Sequence, residues 1–328
     1  MTQITDTNIP LISVVIPVKN EAKTIGICLQ NILSQTIPVH EIIVIDSGST
    51  DGTQKIAANF SKVKVVNIAA SEFNHGGTRN YGVSLAEGEY ILFTVGDAKP
   101  VDKFWINSLL AGFLDDSVAA VCGSQVVEHG ANTNPVEWFN PVTSNPKIER
   151  YQFNSPESFE KLTLEEKNDA CSWDDVSAMY RKDVLKKIPF YKIVYGEDVY
   201  WAKNALKSGY ALAYNPSARV YHFHYEDYKS VLKKTIAVCY LRYTALGVLP
   251  NNVKIISSFF IALYRLVRER RLSWKERLHW AKYNIDSIRA LASGIKLFED
   301  TRINGGQGAL DTLHETYCGT PPVPLKNI

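Results

Sequence analysis

The sequence predicts an α/β fold: a Rossmann-like, mostly parallel sheet flanked by helices, with a helical C-terminal extension. Three observations carry this. The runs "LISVVIPV", "EIIVID" and "VKVVNI" are short, apolar and rich in β-branched residues, as buried parallel strands are. Segments with helical spacing separate them, and strand–helix alternation at these lengths builds doubly wound sheets. Beyond Tyr228 the pattern is helical until about Asp300.

The first strand runs up to Val18. Asn20 is placed to cap the next helix, in which Ile25, Cys28, Leu29, Ile32 and Leu33 share one face. "EIIVID" ends on Asp46 and leads through "GSTDGT", rich in cap residues, to a helix from about Thr53 to Phe60. After "VKVVNI" comes "SEFNHGGTRN", entering a helix that stops at Gly88. Gly76 and Gly77 can take positive φ or let the backbone approach a ligand, and free N–H groups at a helix start favour an anion. Arg79 runs against the preference for acids in a first turn. It is therefore expected to meet a phosphate or a carboxylate, Asp97 among the candidates, or to form a purely structural salt bridge. His75 is divided between a ligand contact and a loop hydrogen bond.

"EYILFTVGDA" supplies the next strand, with Asp97 behind it. From Glu128 to about Asn168 loops and a short helix are expected. Val199, Ala202, Ala205 and Leu206 then form a helical face ending at Gly209, and "YALAYNP" and "ARVYHFHY" read as strands. The last 28 residues read as a loosely ordered tail.

The chain has 328 residues, enough for one large domain or a catalytic domain with a smaller appendage. Its net charge of +2 gives no signal for nucleic acid. The charge is uneven, with 14 Lys and Arg against 7 Asp and Glu from Glu226 to Asp300. Five scattered cysteines, with no C-x-x-C pair, favour reduced thiols in a cytoplasmic setting. The first ten residues show no signal-peptide pattern. "VKIISSFFIALYRLV", Val253 to Val267, is short of the ~20 residues that span a bilayer. A membrane contact would therefore be peripheral, with Arg265, Arg268, Arg270 and Arg271 meeting anionic headgroups. Packing on the core or on a second protomer is the equal alternative.

Four constellations can carry chemistry, and each alone is also what a turn cap or a half-buried strand looks like. Asp46, followed by Ser47 and Gly48, can accept from a base or ribose. Asp97 after an apolar strand can hold a hard divalent cation. Glu197 and Asp198 open a helix whose dipole favours their ionised form, so one of them can act as a general base. His222 and His224, if on a strand, share a face and can ligate a metal or touch a diphosphate.

In combination, "SVVIPVKNEAKTIGICLQNILSQT", "EIIVIDSGSTDGT" and "GEDVYWAKNALKSGY" resemble the GT-A glycosyltransferases of family 2 over about residues 11 to 225. "FNHGGTRN" with "GDAKP" is similar to the bacterial rhamnosyltransferase-type branch that builds O-antigens and related surface polysaccharides. The resemblance implies a GT-A domain over 1–225, with a nucleotide half at 11–125 and an acceptor half at 126–225. A basic helical subdomain over 226–300 and the tail over 301–328 would follow. Pro17, Val18, Lys19 and Glu21 would line the nucleotide pocket, with Asp46 and Ser47 receiving the base and His75 and Arg79 near the donor. Asp97 would bind Mn²⁺ or Mg²⁺ bridging the diphosphate, helped by His222. Asp198 would take the acceptor proton beside Glu197. Trp173, Asp174 and Asp175 are candidate acceptor contacts.

The implied activity is inverting transfer of a sugar from a nucleotide-diphosphate donor, dTDP-rhamnose by the branch resemblance. The acceptor would be a saccharide, free or on polyprenyl diphosphate. Gly96 departs from the pattern, since many relatives carry an acid or glutamine there; His222 or Arg79 would supply compensating charge. Alternatives are another donor such as a UDP-sugar, or a non-catalytic assembly subunit. A processive synthase would need transmembrane helices and a Q-x-x-R-W motif. A nucleotidylyltransferase would need a basic Gly-rich loop where "PVKNEAKT" stands.

Overall fold

The computed structural model describes residues 10–128, 133–137, 146–251 and 253–319. The chain forms two compact units: Met1–Val126 with Val142–Lys192 and Glu197–His222, and Val127–Pro141 with Ile193–Gly196 and Phe223–Ile328.

The first unit is built on one sheet. Its parallel half contains β1 (Ile12–Val18), β2 (Glu41–Asp46), β3 (Val63–Asn67) and β4 (Tyr90–Phe93), in spatial order β3-β2-β1-β4. The connecting helices are α1 (Ile25–Leu33), α2 (Thr53–Ala57) and α3 (His75–Leu85). These strands alternate little because both faces are covered: Ile12, Val14, Val15 and Ile16 are all buried. On α1, Ile25, Cys28, Leu29 and Ile32 face the core, as their spacing dictates.

After β4 come β5 (Lys99–Pro100), α4 (Trp105–Leu110), β6 (Val118–Val126) and β7 (Glu149–Tyr151). Two short helices, α5 (Pro156–Glu160) and α6 (Leu164–Ala170), occupy the stretch expected to hold one. Next are β8 (Ala178–Arg181), α7 (Lys182–Lys187), α8 (Glu197–Lys207) and β9 (Ala211–Tyr221). β8 enters antiparallel between β4 and β6, and β9 lies parallel to β6. The two strands expected over "YALAYNPSARVY" are one, because a register shift against β6 between Cys122 and Ser124 absorbs Pro216. β9 stops at Tyr221, so His222 and His224 lie beyond the strand rather than on one of its faces. On α8 the buried face comprises Trp201, Ala202, Ala205 and Leu206, while Val199 is half-buried.

The glycine-rich entry to α3 is a docking surface for the protein's own chain. Asn74 caps the helix, its side chain accepting from the Gly77 N–H at 2.9 Å. A Cβ on Gly76 would sit 2.0 Å from the Tyr191 carbonyl oxygen, and one on Gly77 3.3 Å from Lys192. Asn80 then grips the Phe190 backbone from both sides, donating to its carbonyl (2.8 Å) and accepting from its N–H (3.0 Å). The expectation that these glycines clear the way for a ligand is corrected: the space they leave is filled by residues 190–192.

The second unit is helical: α9 (Tyr228–Leu246), α10 (Ile255–Arg268) and α11 (Trp274–Cys318). Residues 301–318, expected as a loose tail, are helical, with a break only at Gly306 (φ 62°, ψ −155°). Leu310 and His314 recur at helical spacing and are buried. The His314 ring lies 4.4 Å from that of Tyr240, whose hydroxyl donates to Asp311 at 2.6 Å. Residues 320–328 of the expected tail lie outside the described residues. Among the described residues, no helix is long and apolar enough to cross a membrane.

Gly76→Ala is expected to destabilise the protein by about 1–3 kcal/mol, the usual cost of overpacking. Gly308→Ala, with open space around its Cβ, should be neutral or stabilising by up to ~1 kcal/mol. Urea unfolding of the two variants checks this, and equal midpoints would contradict the close packing at Gly76.

Candidate active site

The carboxyl ends of β1 and β2 lie side by side, with Val18 opposite Asp46. Ser47 N–H donates to the Val18 carbonyl at 3.1 Å. The N–H groups of Asn20, Glu21 and Ala22 donate to the side chains of Ser49, Thr53 and Asp51 at 2.7, 2.7 and 2.9 Å. The two loops are thereby stitched into one rim. Asn20 is part of this rim and does not cap α1: it takes φ 59°, and its side chain accepts from the Thr50 N–H at 2.9 Å.

Asp46 is fully buried. One oxygen accepts from the N–H groups of Gly48 (2.9 Å) and Ser49 (2.8 Å) and from the Gln54 amide (2.9 Å). Burial pushes its pKa up, but the hydrogen bonds from Ser49, Gln54 and Gly48 outweigh this and hold it below the ordinary value. The other oxygen has no hydrogen-bond partner among the described residues. An acceptor left so costs about 1–3 kcal/mol until a donor reaches it. Around it Ser47 and Val18 are buried, Pro17 and Glu21 half-buried and Lys19 exposed.

Asp97 stands in the turn between β4 and β5 and faces His222, its carboxylate 3.5 Å from Nε2. The other ring nitrogen, Nδ1, lies 2.6 Å from Gln125 Oε1. Gln125 is oriented by its own amide N–H, which donates to Asp174. Gln125 Oε1 can only accept, so Nδ1 donates to it, and in the neutral ring Nε2 then turns its lone pair toward the carboxylate. Two electron-rich groups so placed fit a shared cation: adjacent ligands of an ion with bonds of ~2.1 Å lie about 3 Å apart. Asp97 and His222 could hold such an ion. Gly96 does not open the site. A Cβ there would meet Val18 and Glu21 at 3.0 Å, so Glu21 already occupies the space of a residue-96 side chain.

The third cluster surrounds Arg79, which is only 7% exposed. Its Nε lies 3.0 Å from Asp175, and its guanidinium also pairs with Glu197. The rings of Phe93 and Phe190 lie 5.8 and 6.0 Å away. Burial pushes Asp175 up to about 6, against the pull of Arg79. The Tyr180 hydroxyl donates to Asp175, and Trp173 Nε1 lies 2.5 Å from that hydroxyl. Asp198 follows Glu197 in the first turn of α8. Its pKa is raised well above the ordinary value, first by burial and then by the charges of Glu197 and Asp175, with Arg79 opposing. Arg79 thus meets carboxylates: a buried ion-pair cluster with Asp175 and Glu197 stands in place of the expected brace on Asp97.

The acceptor assignments are also revised. Trp173 and Asp175 are 7% and 1% exposed and are held by Tyr180 and Arg79, so neither offers a surface to a ligand. Asp174 is half-buried and tied to Gln125. His75 is exposed, its ring edge-on to Phe73 at 4.9 Å. Gln125, Asn80 and Tyr180 had no distinguishing sequence signal beyond the place of Asn80 in "GGTRN".

Comparison with known proteins identifies the family and the type of sheet. The family Glycosyl transferase family 2 matches residues 13–189. The O-antigen chain rhamnosyltransferase RfbN of Salmonella typhimurium is 33% identical over 65% of this chain and 66% of its own length. WbaN of Salmonella anatum, also an O-antigen chain rhamnosyltransferase, is 34% identical over 58% of each chain. The chain thus spans less than two thirds of the relatives it matches. The Pyrobaculum calidifontis mannosyltransferase PcManGT, solved with GDP-Man and Mn²⁺, shares the fold with TM-score 0.50 and 18% identity. It covers 94% of this chain and 80% of its own, and the sheet is accordingly of GT-A type.

Arg79→Met is expected to cost about 3–5 kcal/mol in stability, because it strands two buried carboxylates. Adding Asp175→Asn and Glu197→Gln should recover part of that loss. Urea titration of the single and triple variants measures both, and an unchanged midpoint for Arg79→Met would contradict the cluster.

Proposed function

Because the chain belongs to glycosyl transferase family 2, we propose that it is a glycosyltransferase that transfers L-rhamnose from dTDP-rhamnose to a saccharide hydroxyl in bacterial surface-polysaccharide synthesis. The rhamnosyl donor and the O-antigen setting rest on the names of RfbN and WbaN. One observation carries the mechanism. The dipeptide Asp174–Asp175 joins the Asp97–His222 corner, through Gln125, to the Arg79–Glu197 pair beside Asp198.

On this reading the rim at Val18 and Asp46 takes the nucleotide. A base N–H would satisfy the unpaired oxygen of Asp46. Asp97 and His222 would hold a divalent ion, which would supply positive charge to the departing diphosphate. Asp198 accepts the proton of the acceptor hydroxyl as its oxygen bonds to the anomeric carbon. The bond from that carbon to the diphosphate oxygen breaks on the opposite face, and its electron pair leaves with the diphosphate. One displacement with one base inverts the configuration. The raised pKa of Asp198 suits this role, because a stronger base takes a hydroxyl proton more readily. Glu197 is a positioning residue, held by Arg79.

The test is a donor panel (dTDP-rhamnose, UDP- and GDP-sugars) with Mn²⁺ and with EDTA, run on the wild type and on Asp198→Asn. dTDP-rhamnose should be preferred and its binding strengthened by Mn²⁺. Asp198→Asn should bind it unchanged while turnover falls about 10²–10⁴-fold. Near-normal turnover of that variant would sink the base assignment, and preference for another donor would sink the rhamnosyl reading.

A further inference from the structure

Helix α10 is apolar over more than half of its circumference, with Ser257, Ser258, Arg265 and Arg268 gathered in one sector, and an apolar face that wide is ordinarily buried. Here only one side is. Ala262 and Leu266 are buried, Arg265 donates to the Val136 carbonyl at 3.2 Å, and Leu266 packs with Leu272 and Trp280. The other side is a stripe at helical spacing, Ile256, Phe260, Tyr264 and Val267, whose exposures run from 59% to 75%. Trp274 and Leu278, at the start of α11, are 74% and 62% exposed. Isolated exposed apolar residues need no explanation, but a continuous stripe does.

The charges beside the stripe say what covers it. Lys254 precedes the helix, Arg268 ends it and Arg270 follows; the one acid from Lys254 to Arg271, Glu269, is paired with Arg271 at 2.8 Å. Arg268 is laid along the stripe, donating to the Tyr264 hydroxyl at 2.6 Å. A second copy of this helix would meet like charge either way. Parallel pairing sets arginine against arginine, and antiparallel pairing sets lysine against arginine. A surface that is apolar in depth and anionic at its rim complements both features.

We propose that the exposed face of α10 is a docking surface for an anionic lipid bilayer. The helix would lie in the interfacial plane, Ile256, Phe260 and Val267 among the acyl chains and the basic residues at the headgroups. At 14 residues it cannot cross. The inference needs no assumption about the transfer reaction.

Flotation with phosphatidylcholine vesicles, with and without phosphatidylglycerol, tests it on the full chain. Wild type should float with the anionic vesicles and at least about tenfold less with neutral ones, since each basic residue near an anionic surface adds several-fold. Ile256→Glu with Phe260→Glu should abolish flotation with an unchanged melting temperature. If that variant melts lower, Ile256→Ser with Phe260→Ser carries the test in its place. No flotation of wild type on anionic vesicles, or equal flotation of the folded variant, overturns the proposal. So does a wild-type dimer in sedimentation that the variant dissolves, because a second copy would then cover the face.

Discussion

The ion pairs of Arg79 are the interaction on which the first unit's chemistry depends. A guanidinium buried to this degree is tolerable only with carboxylates against it, and Asp175 and Glu197 are those carboxylates. They come from distant parts of the sequence, so the pairing fixes three segments at once: the first turns of α3, the loop before β8 and the first turn of α8. Gly76, Asn80 and the backbone of residues 190–192 complete the join. Hydrophobic burial alone would be non-directional here. The charged and polar contacts give the start of α8 one position.

Electrostatics inside this cluster also raise the basicity of the carboxyl proposed to accept the proton. Asp198 sits among burial and like charges that raise its pKa, with the Arg79 cation as the opposing influence. The same short segment reaches the other corner of the site. Asp175 belongs to the Arg79 cluster, and its neighbour Asp174 orients Gln125, which orients His222 against Asp97. A displacement of residues 173–175 would therefore be felt both at the group proposed to accept a proton and at the groups proposed to hold an ion. Asp174 and Asp175 also lie close enough for their charges to act on Asp198.

Much of the fold was legible in the sequence because its strands are buried on both faces. β1 and β2 are short β-branched runs, and α1 shows its core face by spacing alone. The strand ends bearing Asp46 and the helix start bearing Glu197 and Asp198 follow from those elements. What a vacant Cβ meets did not follow. Gly76 and Gly77 look like clearance for a ligand, yet the occupant is Tyr191 and Lys192, brought there by tertiary packing. "WDD" at 173–175 looks like a sugar contact, since aromatic and acidic side chains make such contacts. Its burial against Tyr180 and Trp201 depends on β8 and α8 together. Glycines near residue 306 read as a loose tail, but Leu310 and His314 pack against α9 and keep that segment helical.

The central claim is that the environment of Asp198, set by Glu197, Asp175 and Arg79, tunes the group that accepts the proton. The pH dependence of kcat/KM for sugar transfer, compared between wild type and Glu197→Gln, tests it most directly. A base must be ionised to work, so activity rises with pH through the pKa of Asp198. The account predicts an acidic limb in the wild type above the usual carboxylate range of about 4. It also predicts that Glu197→Gln moves the limb to lower pH, because a negative neighbour that favours the protonated form has been removed. A wild-type limb at the ordinary carboxylate value, unmoved by Glu197→Gln, would contradict the account.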